Sequence, residues 1–199
     1  MPQYFESDGG LKRNFKRIAY TYGGREFSFL TCDGVFAKDG VDPFSAALLD
    51  CAGDCGVTGD VLDMGCGYGA VGVIAAGTFP GVRLCQSDIN RNAAELAAEN
   101  ARLNGVASRV ILSDGYENID GLFDWVLMNP PIHAGKERVY RLFGDTKAHL
   151  KEKGKLLVVI HKKHGAESAL RELERVYGEV GVVYRKKGLY IMMCGVSGT

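Results

Sequence analysis

Long apolar runs are what this 199-residue sequence most plainly lacks: none approaches the roughly 20 residues that a membrane-spanning helix needs. The start has no apolar segment either, and Glu6 and Asp8 come early, so no secretory leader is expected. Cysteine is present but not in metal-binding order. The six residues stand at 32, 51, 55, 66, 85 and 194, and Cys51-x-x-x-Cys55 has no second Cys/His pair at zinc-like spacing, so no metal site is expected. Cys66, Cys85 and Cys194 fall in or beside expected strands and read as small buried hydrophobes. Free thiols without a targeting signal favour the cytoplasm. Internal repeats and low-complexity segments are also missing. A chain of this length, 46% hydrophobic, is expected to fold as one globular domain with at most a small appendage.

Net charge is absent as well, but the zero hides a segregation. Residues 1–41 carry 6 Lys/Arg and 5 Asp/Glu, residues 42–135 carry 4 and 12, and residues 136–199 carry 14 and 7. The acidic middle suits a cationic ligand and the basic end suits a polyanion. Any single charge run is better explained as a solvated surface; the segregation is what raises nucleic acid as a partner.

The most informative stretch is Val61-Leu62-Asp63-Met64-Gly65-Cys66-Gly67-Tyr68-Gly69. A short apolar run with a carboxylate near its end precedes three glycines at alternate positions, and Ala70 to Thr78 is then helix-compatible. The pattern predicts a strand, a tight turn and a helix start. Glycine belongs where backbone bends sharply and approaches a ligand, and the helix N-terminus offers unpaired N–H groups there. Gly65-x-Gly67-x-x-Ala70 also satisfies the dinucleotide fingerprint, so the glycines leave NAD open beside S-adenosylmethionine (SAM). Asp63 favours SAM, because a carboxylate there attracts an ammonium group and repels a pyrophosphate.

Upstream, residues 1–41 are expected to form a hairpin-and-loop appendage. β-Prone runs at 15–22 and 25–31 flank Gly23-Gly24, and Lys12, Arg13, Lys16 and Arg17 give the first a basic edge. Asp42-Pro43 predicts an N-cap and first helical residue for a helix running to about Ala52. From Asp60 onward strands and helices alternate. Strands are expected at 60–65, 82–87, 109–113, 123–128, 155–160, 179–185 and 189–194, and helices at 69–78, 91–103, 137–150 and 165–177. Such alternation implies a Rossmann-like α/β fold, a mostly parallel seven-stranded sheet with helices on both faces. Lys186-Lys187-Gly188 is too short for a parallel crossover, so the last two strands form an antiparallel hairpin.

Ligands in open α/β sheets bind at the carboxyl ends of the strands. The first core strand ends in Asp63 and the glycine turn; the second in Asp88, about twenty residues on, suited to ribose hydroxyls and followed by Ile89. The third ends in Asp114-Gly115, an acid suited to an adenine amino group, and the fourth in Asn129-Pro130-Pro131-Ile132-His133. Two prolines stiffen that turn and remove two N–H donors. The Asn129 side-chain carbonyl and the Pro130 backbone carbonyl can then take both hydrogens of an –NH2 group and aim its lone pair at an electrophilic methyl.

With these residues in place, the sequence resembles the class I SAM-dependent methyltransferases, and within them the methyltransferase small-domain family that includes small-subunit ribosomal RNA guanine-N2 methyltransferases. The matching residues are Gly34-Val35-Phe36 with Asp39 and Asp42, Asp63 to Gly69, Asp88, Asn129-Pro130-Pro131-Ile132-His133-x-Gly135, and Lys186 to Tyr190, over roughly residues 20–195. The resemblance implies an antiparallel last strand, a methyltransferase domain over 42–199, SAM as donor and a nucleobase amine as acceptor. It places Asp63, Gly65, Cys66, Gly67, Tyr68, Gly69, Asp88, Ile89, Asp114, Gly115 and Asn129 against the cofactor. Asn129, Pro130, Pro131 and Ile132 fall at the reacting centre. Family members often carry an aromatic at the position of Ile132, where it stacks on the flipped base; here Phe36, His133 or Tyr140 is left to supply the stack. The ribosomal RNA enzymes of the family also carry a further N-terminal domain, where this chain has the short hairpin. Lys136, Lys162, Lys163, Arg185, Lys186 and Lys187 are expected to follow the phosphates of ribosomal RNA or the small subunit. His161 and His164 are expected in an exposed strand-end loop. A protein glutamine or a small-molecule amine as acceptor, and a non-catalytic SAM- or RNA-binding module, remain as alternatives.

Overall fold

The protein is described by a computed structural model that covers residues 14–196; Lys12 and Arg13, and with them that part of the expected basic edge, lie outside the described residues. The chain opens with an antiparallel hairpin of β1 (Lys16–Tyr22) and β2 (Arg25–Thr31), turning at Gly23-Gly24. Helix α1 (Pro43–Asp54) starts where the sequence places it: Asp42 accepts from the backbone N–H of Phe44 and Ser45, and Pro43 needs no N–H partner there. Then follow β3 (Gly59–Met64), α2 (Ala70–Thr78), β4 (Val82–Asp88), α3 (Arg91–Leu103), β5 (Ser108–Leu112), β6 (Phe123–Met128), α4 (Lys136–Ala148), β7 (Leu150–His161), α5 (Ala166–Tyr177), β8 (Val180–Lys186) and β9 (Leu189–Gly195).

β3 to β9 form a seven-stranded sheet in the order β5-β4-β3-β6-β7-β9-β8. All pairs are parallel except those of β9, which lies antiparallel between β7 and β8. Alternate residues of each strand face opposite sides, and both sides are covered. Val61, Trp125, Leu127, Leu157 and Val159 pack with Leu48, Leu49, Ile74 and Leu96 on the side of α1, α2 and α3. Leu62, Val126, Met128, Leu156 and Val158 pack with Val139, Leu142, Phe143 and Leu173 on the side of α4 and α5. Strands buried on both faces explain the continuous apolar runs of the sequence.

The hairpin is pinned to this body. Phe27 and Phe29 are fully buried in the α1–α3 side of the core. Asn100 and Asn104 of α3 then act as a partner for the outer edge of β2. Asn100 accepts from Leu30 N (2.7 Å) and donates to Leu30 O (2.9 Å), while Asn104 accepts from Ser28 N (2.9 Å) and donates to Ser28 O (2.8 Å).

Two departures from the sequence expectation have a clear physical cause. Helix α1 continues through Gly53 to Asp54, because an interior glycine costs only about 1 kcal/mol, and the break comes at Gly56 with φ of 71°. β7 begins at Leu150, not 155, and carries Gly154 inside it. Phe123 pairs with Leu150 and Trp125 with Lys155, so the residues between bulge out, with Lys153 at φ of 66°. A Cβ on Gly154 would stand 2.7 Å from the Phe123 carbonyl oxygen, which is why glycine sits at the bulge.

Candidate functional site

The strand order reverses between β3 and β6. Met64 pairs with Met128, so Gly65 and Asn129 leave the sheet side by side. A cavity of about 500 Å³ opens at these strand ends. Its wall contains Asp63, Gly65, Cys66, Gly67, Tyr68, Asp88, Ile89, Gly115, Asn129, Pro130, Pro131, Ile132, His133 and Phe36. The two motifs singled out in the sequence thus share one wall.

The three glycines do different work. All have positive φ, at 71°, 57° and 88° for Gly65, Gly67 and Gly69. A Cβ on Gly65 or Gly67 would meet open space, so their backbone is free to meet a ligand. A Cβ on Gly69 would stand 3.0 Å from the Ala97 Cα, so this glycine serves the contact of the turn with α3 and is not part of the cavity wall. The turn is tied on every side: Gly65 N and Cys66 N donate to Ser87 O (2.8 and 2.9 Å), Gly67 N to Asp88 Oδ2 (2.8 Å), and the Tyr68 hydroxyl to Gly40 O (3.1 Å).

Asp63 is buried, and its Oδ2 accepts from Gly72 N inside α2 (2.8 Å). Burial pushes its carboxyl up to about 7, the Gly72 N–H opposes the rise, and the Asp88 charge adds to it. Asp88 accepts from Gly67 N and from Asn90 N (2.8 Å each), which sets its plane and leaves further lone pairs for hydroxyl donors. Asp114 is placed differently from its neighbours. Its carboxylate is held by Arg138, with Arg141 at 3.5 Å, and the cavity wall contains Ser113, Gly115 and Arg138 but not Asp114.

Asn129 has the most defined geometry. Its Nδ2 donates to Asp42 Oδ2 (3.1 Å) and to Ser45 Oγ (3.1 Å). Both amide hydrogens are therefore used on α1, and the side-chain carbonyl is the end left for a ligand. Ile132 opens a single turn of 3-10 helix (Ile132–Ala134) and packs toward the α4–α5 side of the core.

Several residues at the cavity were not expected there. Asp42 reads in the sequence as a helix cap, and Ser45 carries no signal at all; their grip on Asn129 joins positions 87 and 84 residues apart. Phe44 and His164 also line the cavity. His161 closes β7, half-buried, with its ring stacked on Phe44 (centroids 5.7 Å apart, 12° between planes), while His164 meets Phe44 edge-on at 6.3 Å. The expectation of an exposed strand-end loop holds for His164, which is exposed on the 162–164 turn, and is corrected for His161, which ends β7 and is half-buried because Phe44 of α1 packs on it. Tyr140 is turned to Phe143 and Lys136 and lies outside the cavity wall. Lys136, Lys162, Lys163, Lys186 and Lys187 are exposed and also outside it. Lys162 N donates to Gly188 O (2.6 Å), which sets the 162–163 turn beside the 186–188 turn.

The structure is an open α/β sheet with a glycine turn and an Asn-Pro-Pro turn lining one cleft at adjacent strand ends. The methyltransferase small domain matches residues 26–193, and the chain belongs to this SAM-dependent methyltransferase family. Membership resolves the choice between SAM and NAD that the glycines left open. The uncharacterized protein YbxB of Bacillus subtilis is 39% identical over 95% of this chain and 96% of its own length. Ribosomal RNA small subunit methyltransferase C of Aeromonas hydrophila is 34% identical over 73% of this chain and 43% of its own. Among solved structures, the T. thermophilus 16S rRNA N2 G1207 methyltransferase, determined with AdoMet and guanosine, shares the fold with a TM-score of 0.83 at 23% identity. That likeness covers 92% of this chain and 50% of the other, so the chain spans half or less of both ribosomal RNA methyltransferases.

Proposed function

We propose that the protein transfers a methyl group from SAM to an exocyclic amine of a nucleobase, guanine N2 in ribosomal RNA. The observation that supports this is the Asn129 amide, whose –NH2 is committed to Asp42 and Ser45, which leaves its carbonyl free to accept from an amine. SAM supplies a methyl on a sulfonium sulfur, which an amine lone pair can attack without a strong base. The residues present fit it. Asp63 is a carboxylate for the ammonium, the open space over Gly65 and Gly67 admits the amino-acid end, and Asp88 takes ribose hydroxyls. The adenine is assigned to the segment 113–115, with Asp114 acting through Arg138.

On the acceptor side, the Asn129 side-chain carbonyl and the Pro130 carbonyl accept from the two amine hydrogens and fix the lone pair toward the methyl. Such orientation is worth several kcal/mol of barrier. Pro130 is buried, and the two prolines fix the backbone φ of the turn. The target base must leave its stack to reach a cleft of this depth. Two relatives named for ribosomal RNA methylation, and the basic charge of residues 136–199, support RNA over other acceptors.

The test supplies labelled SAM with small ribosomal subunits, naked ribosomal RNA and ribosomal protein in parallel, followed by digestion to nucleosides. N2-methylguanosine is the expected product. Label in glutamine of a protein fraction alone, or in no fraction, overturns the proposal.

A further inference from the structure

The cavity runs along the strand ends from β5 to β7. Asp88 and Gly115 lie at its β4–β5 end, while Asn129, Phe44 and His164 lie at its β6–β7 end. Ile132 offers this second end only an aliphatic side chain, half-buried against the core. A planar acceptor held by Asn129 at its edge still needs a flat surface for its face.

Phe44 is placed to provide it. It sits in the first turn of α1 between Asp42 and Ser45, the two residues that hold the Asn129 amide. The position of its ring is thus fixed relative to the amide by one turn of helix. His161 covers one face of that ring and is not in the cavity wall, so the ring is backed from behind, and His164 braces it edge-on from the side. The His161 ring is itself held, its Nδ1 accepting from Lys163 N at 3.1 Å. A half-buried aromatic with one face stacked and the rest toward a cavity is a preorganised stacking surface.

We infer that Phe44, backed by His161, is the stacking surface for the target base, in place of an aromatic at position 132. The inference rests on the nucleobase reading above and names the side chain that meets the face of the base. It ranks Phe44 above Phe36, His133 and Tyr140. Phe36 is 63% exposed at the mouth, His133 is exposed on a single turn, and Tyr140 is turned away. Stacking accepts any base, so Phe44 contributes affinity, while the choice of amine stays with Asn129 and Pro130.

The experiment compares wild type with Phe44→Leu, Phe44→Tyr and the double variant Phe44→Leu/Ile132→Phe. It reads SAM affinity by calorimetry, and KM and kcat for RNA by methyl transfer. Leucine keeps the apolar bulk but removes the ring. For Phe44→Leu, KM for RNA is expected to rise about 5- to 100-fold, the range to which loss of one base–aromatic stack corresponds, with SAM affinity unchanged. Phe44→Tyr should stay near wild type, and Ile132→Phe should restore much of the loss. If Phe44→Leu matches wild type in KM, or if SAM affinity falls in parallel, the inference is overturned while RNA methylation by the wild type still stands. If the wild type labels no RNA, the nucleobase reading fails and this inference with it.

Discussion

Asp63 is a buried carboxyl group in the cavity wall that is pushed up toward neutrality. Burial raises it to about 7 from an ordinary value of 3.8. Between those values the folded protein without ligand keeps a proton that the unfolded chain has lost. Asp63 therefore removes stability as pH rises from about 4 to about 7 and has no further effect above. An ammonium ligand reverses the preference, because it favours the ionised form. SAM affinity is expected to rise as pH passes through about 7, with a proton released on binding near pH 6.5. Calorimetry in buffers of different ionisation heat would measure that proton, and Asp63→Asn should abolish it and weaken binding at pH 8. Ser45 offers a second test at this scale. Ser45→Ala removes one of the two acceptors that orient the Asn129 amide, at a cost of about 1–2 kcal/mol. That should lower kcat by roughly 5- to 30-fold with SAM affinity unchanged; equal loss in both would mean that Ser45 serves the fold and not the acceptor.

Between elements, α3 ties the glycine turn to the hairpin. The fully buried Asn100 donates to Tyr68 O (2.8 Å) in the turn and pairs with both backbone groups of Leu30. One amide thus links β2, α3 and the glycine turn of the cavity wall. Asn100→Ala leaves these buried groups unpaired and is expected to cost about 2–4 kcal/mol in urea unfolding, with weaker SAM binding as a second effect. Asn104→Ala, farther from the turn, should destabilise without changing SAM affinity once the protein is folded. Among the turn glycines, Gly69→Ala should be the more damaging, since its Cβ meets backbone of α3 as well as a left-handed φ. Gly67→Ala meets open space and carries only the backbone penalty of about 1–2 kcal/mol, so its larger effect should be on SAM binding.

Over the whole molecule, charge is sorted along the chain and then gathered in space. The 162–163 and 186–188 turns adjoin at the end of the sheet beyond β7, at the β6–β7 end of the cavity where His164 lies. Lys162 is drawn toward Glu167 at 3.4 Å, while Lys186 and Lys187 stand exposed on the β8–β9 turn. Replacing Lys186 and Lys187 by glutamine is expected to lower the slope of log affinity against log salt by about 1 to 2 and to weaken RNA binding without altering which base is methylated. A salt series of filter-binding measurements would check the slope; an unchanged slope would remove this turn from the RNA track.

The order of residues along the chain is enough to place the strands and helices and to bring the glycine turn and the Asn-Pro-Pro turn to strand ends, because local rules govern both. Apolar runs bounded by glycine give strands buried on both faces, Asp42-Pro43 and Asn90 begin helices, and ligands gather at strand ends. Hence the gathering of Asp63 to Tyr68, Asp88 and Asn129 to His133 at strand ends around one cavity is legible from the chain alone. What those residues do to one another depends on the folded molecule. Sequence spacing does not show that Asp42 and Ser45 grip an amide more than eighty residues away, that Phe44 and His161 stack, or that Arg138 and Arg141 take up Asp114. These are side-chain contacts between elements that the fold brings together from distant parts of the chain, and no periodicity encodes them. For the same reason Gly69 resembles its two neighbours in the motif: its own residue type records that a Cβ is forbidden, and only the packed helix α3 shows what forbids it.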